Sequence, residues 1–222
     1  MNYSDEKPVI RRDAAATKAR ILKAGLAEFG AKGYDGARTV SIAKRAKCNI
    51  RMLYHYFGGK KGLYLECIQK VYLHIRGEEQ KLSLKELPPI KAIEKLVHFT
   101  FDHMHKNPDF VHLAGAENMM KGKFVKKLPL VAKAANSLID SIQDILERGK
   151  EEGVFNPNVD ALQLYISVLS LSYLHLSNRY TLSATYGQDM TETAWLEARR
   201  AHVTEMIICY CSLRSVETEI LK

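Results

Sequence analysis

Apolar side chains recur along this chain at three- and four-residue spacing, and strand-like alternation is scarce. Ile21, Leu22, Gly25, Leu26 and Phe29 form one such stripe, the buried face of a helix running to about Gly30, with Asp13 or Thr17 placed to cap its start. "AKGYDGA" (31–37) ends that helix with two glycines. Thr39 is then placed to cap a short helix through Ala46, and "KCN" (47–49) makes a tight turn. Asn49 caps a second short helix through Phe57, and "GG" (58–59) separates it from a longer one running from Lys60 to about Gly77. "LPP" (87–89) opens the next helix, and "NPDF" (107–110) divides it from one ending near Gly122. Further helices are expected over 128–152, 159–183 and 191–214. The pattern predicts an all-α chain of about nine helices, with no internal repeat and no low-complexity linker.

Composition narrows the class. The 222 residues contain no apolar run near the roughly 20 needed to cross a bilayer. Polar or titratable residues at Gln163, Ser167, Ser170, Ser172 and His175 interrupt the most apolar stretch, 162–176. The first residues, "MNYSDEKPVIRRD", lack the apolar middle of a signal peptide, so a cytoplasmic protein without a membrane partner is expected. Cys48, Cys67, Cys209 and Cys211 form no CxxC pair; Cys209 and Cys211 read as two small residues on one helix rather than metal ligands. Nothing calls for a metal or cofactor.

Charge is distributed unevenly. Residues 1–61 carry 14 Lys and Arg against 5 Asp and Glu, an excess of nine positive charges, whereas residues 62–222 carry 19 against 20. A polyanion partner for the N-terminal segment follows from that asymmetry, although a solvated basic face gives the same balance.

The densest aromatic and basic stretch is "NIRMLYHYF" (49–57). On a helix, Ile50, Leu53 and Phe57 share a stripe that packs on Ile42 and Ala43, leaving Arg51, Met52, Tyr54, His55 and Tyr56 on the other faces. Two short helices joined by a tight turn fit a helix-turn-helix, whose second helix enters the DNA major groove. Arg51 suits a guanine edge, Met52 a thymine methyl, and His55 a base edge or a phosphate. The hydroxyls of Tyr54 and Tyr56, the helix starts at Thr39, Asn49 and Gly59, and Lys60 suit phosphates. Alternatively, Tyr54 and Tyr56 cover the junction with the rest of the chain.

These residues resemble the DNA-binding domain of the TetR family of bacterial transcriptional repressors. The resemblance runs from "ARILKAGLAEFGAKGYDGARTVSIAKRA" to "LYHYFGGKKGLY", with Phe29, Gly33, Tyr34, Thr39, Ile42, Ala43, Ala46, "LYHYF", Lys60 and Leu63 as markers. Where the family usually has Gly-Val-Ser in the turn, this chain has Lys47-Cys48-Asn49; Met52 replaces a small residue, Lys61 a commonly acidic one, and Gly58-Gly59 a polar pair. The resemblance implies that Thr39, Tyr54, His55, Tyr56 and Lys60 hold the DNA backbone and that Arg51 and Met52 lie nearest the bases. Arg11, Arg12 and Lys18 would form a basic arm, unless Arg11 and Arg12 belong to a disordered tail. It further implies a domain of residues 1–60 for DNA and one of 61–222 for effector binding and dimerisation. "LSYLHLSNRYTLS" (171–183) also looks like a subgroup controlling small-molecule catabolism.

In the larger part, helix 159–183 is apolar nearly all round, and Val203, Met206, Tyr210 and Leu213 form a seam on the last helix. Together they suit a two-fold homodimer that reads a palindromic operator. Polar groups in apolar helices mark effector candidates: His103, Glu117, Asn118, His175, Asn178 and Arg179, with Phe99 and Trp195 as walls. Arg179 suits an anionic ligand; alternatively, Arg179 and Glu117 pair with each other or with other side chains, and His175 is an interface histidine. The expected function is a ligand-responsive repressor released from operator DNA by a small molecule. An architectural DNA-binding protein without effector is the first alternative. An enzyme using His103, Glu117 and His175 as acid and base groups is the second, and no GxSxG, HExxH or P-loop motif accompanies it.

Overall fold

Glycine and proline stop and start the helices of this chain. A computed structural model describes the backbone of residues 7–213 and the side chains of residues 14–213. Among the described residues there are ten α-helices: α1 (Lys7–Gly36), α2 (Thr39–Arg45), α3 (Ile50–Phe57), α4 (Lys60–Gln80), α5 (Pro89–Lys106), α6 (Pro108–Met119), α7 (Pro129–Glu151), α8 (Ala161–Ser177), α9 (Arg179–Tyr186) and α10 (Thr193–Cys211). Short 3₁₀ turns at Leu84–Glu86 and Val125–Lys127 precede α5 and α7. Pro89 starts α5 at a position where a missing N–H costs nothing.

Three boundaries differ from the expectation, each for a local reason. Helix α1 begins well before Thr17, which is buried inside it and accepts a 2.8 Å hydrogen bond from Arg20 Nη2 instead of capping. The side chains of Asp13, Arg11 and Arg12 lie outside the described residues. The α1 backbone continues past Gly30 and breaks at Gly33, whose φ of 65° suits glycine. The single helix expected over 159–183 is two, because Ser177 Oγ and Asn178 Nδ2 both hydrogen-bond the Leu174 carbonyl (3.2 and 3.3 Å), and such side chains compete with the helical ladder.

The described structure divides into two compact units, and the division does not fall at residue 60. Among the described residues the first unit is 7–73 with 112–131, and the second is 74–111 with 132–213. The first unit's core joins Ile21, Phe29, Ile42, Leu53, Phe57, Leu63, Tyr64 and Ile68 to Leu113, Phe124, Leu128 and Val131. The second unit's core is built from α5, α7, α8 and α10, with Ile93, Leu96, Val97, Ile142, Ile145, Leu164, Val168, Val203 and Ile207 among its members. No helix among the described residues is long and apolar enough to cross a membrane.

Candidate nucleic-acid interface and effector region

Helix α3 has eight residues, too few to persist alone, so neighbours must hold it. Leu53 and Phe57 supply that hold. Both are buried in the first unit's core, and burying a Leu or Phe side chain stabilises by about 2 kcal/mol each. Asn49 caps the helix as expected, its Oδ1 accepting from the Arg51 N–H at 2.9 Å. Gly58 closes the other end at φ 68°. A Cβ on Gly62 would overlap the Phe57 carbonyl oxygen, so glycine there lets the first turn of α4 sit tightly under α3.

Helix α2 is fixed differently from the expectation. Its N-cap is Arg38, which provides no side-chain cap; Thr39 is the first helical residue and half-buried. The bond across this corner comes from Glu28, a buried carboxylate of α1. Lys32 Nζ lies 2.8 Å from it, the Arg38 N–H 3.4 Å, and Arg45 Nη2 4.0 Å. The Lys32 hydrogen bond above all holds the Glu28 carboxyl below its ordinary pKa, against the opposing effect of burial. The turn between α2 and α3 passes through Lys47 at φ 50°, and the Cys48 N–H donates to the Ala43 carbonyl at 3.1 Å.

With those anchors in place, Arg51, Tyr54 and His55 are exposed on one helix. Met52 and Tyr56 are not free in the same way: both are half-buried and pack against the core, so each presents only part of its side chain outward. The Tyr56 ring lies 5.1 Å from the His55 ring and 6.5 Å from Phe57. Lys60 opens α4 with its Nζ 4.9 Å from the Tyr34 ring centre and 3.1 Å from the Asp35 carbonyl. Lys18 leans on the Phe57 ring at 5.4 Å and approaches Glu66 at 3.4 Å.

The effector candidates separate into three groups. In the second unit, buried His103 has the Phe99 ring at 5.4 Å and the His74 ring at 5.5 Å. Desolvation, with His74 nearby, pushes its pKa down to about 4. His175 is stacked on Phe101 at 5.1 Å, with Trp195 at 5.3 Å. Neither of its ring nitrogens has a well-aligned partner, the Leu171 carbonyl offering only a loose one, and burial lowers its pKa to about 4. Asn178 and Arg179 form a surface group: Asn178 is exposed at the helix break, and Arg179 stacks on Tyr180 at 4.7 Å while donating to its hydroxyl at 2.7 Å. Glu117 and Asn118 fall in the first unit, so the expected grouping of Glu117 with Arg179 is not built within either unit. Glu117 is buried and accepts from the backbone N–H groups of Phe124 and Val125 at 3.0 Å each, and Asn118 is exposed.

Sequence reasoning missed the second unit's buried polar network. Arg76 Nη1 lies 2.7 Å from Glu79 Oε2, Arg76 Nη2 donates to the Tyr165 hydroxyl at 2.7 Å, and that hydroxyl donates to Glu79 Oε1 at 3.1 Å. Arg76 and Glu79 also line a cavity of about 300 Å³ with Ser137, Leu138 and Ser141. Only the i, i+3 spacing of "RGEE" (76–79) signalled the pair. A smaller cavity of about 180 Å³ lies against Phe101, Asp102, His105, Leu196 and Arg200, where Arg200 Nη1 meets Asp102 at 3.1 Å. None of the eight expected effector residues lines either cavity.

The family model for bacterial regulatory proteins of the tetR family matches residues 21–67, and that for the tetracyclin repressor-like C-terminal domain matches residues 89–207. The chain belongs to the TetR family of bacterial transcriptional regulators. Among its TetR relatives, the HTH-type transcriptional repressor NicS of Pseudomonas putida is 31% identical over 181 residues, covering 82% of this chain and 85% of that protein. The HTH-type transcriptional repressor SCO4008 of Streptomyces coelicolor is 29% identical over 161 residues, covering 72% and 79%. In three dimensions, the putative transcriptional regulator SCO4942 of Streptomyces coelicolor superposes with a TM-score of 0.67 at 20% identity, covering 88% of this chain and 98% of that one. FadR of Bacillus subtilis, solved with stearoyl-CoA, gives 0.66 at 15% identity, covering 86% and 98%. At such identities these two superpositions speak for the fold. The TetR model over 21–67 contains all of α2 and α3.

Proposed function

We propose that the protein is a homodimeric repressor that holds a palindromic operator through α3 and releases it when a small molecule binds the second unit. The observation that carries this reading is the face of α3. Leu53 and Phe57 are buried beneath it, and Arg51, Tyr54 and His55 stand exposed within a unit of strongly positive charge. Arg51 would read base edges with the outward part of Met52, and Tyr54, His55, Tyr56 and Lys60 would bind phosphates alongside the helix starts at Thr39 and Asn49.

Dimerisation is supported by an apolar surface that the second unit's own core leaves uncovered. Leu162, Ile166 and Leu174 of α8, Met206 and Tyr210 of α10, and Leu213 just after it are each about half exposed, whereas Val203 turns into the core. Effector binding is supported by the two aromatic-histidine groups and by the cavity beside Arg76 and Glu79. NicS and SCO4008 both bear the name repressor, which favours repression over an architectural role. The enzymatic reading gains no support, because Glu117 falls in the first unit and His103 and His175 in the second.

A duplex selected from a random library by the full-length protein provides the test. Tyr54→Ala and Lys60→Ala are expected to weaken binding to every sequence, whereas Arg51→Ala is expected to lose about 1–3 kcal/mol of discrimination at one base position. Unchanged affinity and selectivity in all three variants would overturn the assignment.

A further inference from the structure

We infer that the segment joining α6 to α7 is a second phosphate-binding surface, one that meets duplex DNA flanking the sequence read by α3. This rests on the DNA-binding reading above and extends it to a segment lying far from α3 in sequence.

Residues 121–127, "KGKFVKK", carry four lysines and no acidic residue. By position they fall in the acidic remainder of the chain, but in the fold they belong to the first unit, with α1, α2 and α3. Counting the chain by folded unit sharpens the charge asymmetry. Residues 112–131 bring four lysines against one glutamate into a unit that already carries the N-terminal excess, and leave the second unit net negative.

The segment is held in place. Glu117 Oε2 accepts from the Phe124 and Val125 N–H groups at 3.0 Å each, and the Gly122 N–H donates to the Glu117 carbonyl at 2.8 Å. Phe124 is buried, its ring 4.5 Å from Tyr34 and 4.8 Å from Tyr64. Tyr34 is the ring on which Lys60 also rests. Lys60 and Phe124 therefore flank one aromatic side chain, and the lysine segment lies beside the start of α4, where the DNA backbone is expected.

All four lysines are exposed, and none forms a salt bridge among the described residues. Lys123 and Lys127 lean over the Phe124 ring at 5.5 and 5.8 Å, which directs their ammonium groups without neutralising them. Lys121 holds a φ of 57°, a conformation an L-residue adopts at a cost, at the bend that brings the segment back over Phe124. Four exposed, unneutralised cations on a segment whose backbone is held in place are complementary to phosphates, which a duplex presents at one charge per about 1.7 Å of axis.

The test compares full-length wild type with Lys123→Gln/Lys127→Gln and with the fourfold Lys→Gln variant. Two library-selected duplexes are used, one trimmed to the bases protected by α3 and one carrying about ten further base pairs on each side. Binding is followed as a function of potassium chloride. On the long duplex, the slope of log affinity against log salt is expected to fall by about 0.9 for each phosphate that is no longer neutralised, so by about two or more in the fourfold variant. On the trimmed duplex the variants should match wild type, and the preferred sequence should be unchanged on both. Equal slopes for wild type and the fourfold variant on the long duplex, with unchanged thermal midpoints, would overturn the inference and leave the segment a solvated face. Lys60→Ala in the same series separates the two failures: if it too leaves the slope unchanged, the DNA-binding reading itself fails.

Discussion

The Glu117 carboxylate accepts hydrogen bonds from two consecutive backbone N–H groups, those of Phe124 and Val125, and fixes the ring of Phe124 in the core of the first unit. Charge-assisted bonds of this kind are worth about 1.5–3 kcal/mol, and a donor left buried without a partner costs a similar amount. The Tyr64 hydroxyl, whose pKa is pushed up by burial and then by Glu117, lies in electrostatic reach of the same carboxylate. Glu117→Ala is therefore expected to destabilise the protein by about 3 kcal/mol, and Glu117→Gln, which keeps one acceptor oxygen, by about half as much. Urea denaturation of the two variants measures this. Losses under about 0.5 kcal/mol in Glu117→Ala would show that water replaces the carboxylate, and that residues 121–127 are held by packing alone.

The second unit predicts a pH dependence from opposing groups. Burial outweighs Arg76 and Tyr165 and raises the Glu79 pKa to about 7. Folded Glu79 thus takes up its proton at a higher pH than the unfolded carboxyl, which ionises near 4.5, so its stabilising contribution is full below 4.5 and is lost as pH rises toward 7. His103 and His175 behave in the opposite sense. Their folded pKa values are held down at about 4, so their contribution is full above 6.5 and is lost as pH falls. Between pH 4.5 and 6.5 the single glutamate offsets only one of the two histidines, so stability still falls on acidification. Glu79→Gln removes the first, so the variant should lose stability on acidification more steeply than wild type, by about 1 kcal/mol per pH unit. Thermal midpoints at three pH values across that window decide it, and parallel curves would refute the assignment of Glu79.

What could be read in advance depended on whether a residue's partner was a neighbour in sequence. Asn49 caps α3 because its partner, the Arg51 N–H, is two residues away, and Leu53 and Phe57 are buried because a helical period put them on one face. Thr39 failed as a cap because the corner is bonded by Glu28 of another helix. His103, Glu117 and His175 stand out as polar groups in apolar helices, and all three are buried. Their partners, however, are rings and backbone N–H groups brought in by the fold, so their grouping was not legible. The same holds for residues 112–131, whose place in the first unit depends on Phe124 meeting Tyr34 and Tyr64. Local polarity also mattered: the break at Asn178 was written in "SN" (177–178), but the apolar residues around it masked the signal.

Lys47 is a further position at which residue type and backbone disagree. The turn between α2 and α3 requires a left-handed residue, and Lys47 takes φ 50° where the family commonly has glycine. An L-residue in that region costs about 1–2 kcal/mol, while glycine gives back about 0.5–1 kcal/mol through the greater freedom of its unfolded chain. Lys47→Gly should therefore stabilise the protein by about 0.5–1 kcal/mol, and Lys47→Ala, which keeps the strain, should not. Lys47 is also exposed beside α3, so removing its charge tests a second role. If the turn is the whole of its contribution, both variants should bind the selected duplex with the wild-type salt dependence. A matched drop in salt slope for the glycine and alanine variants would instead make Lys47 a phosphate ligand, retained in the turn despite the strain it introduces.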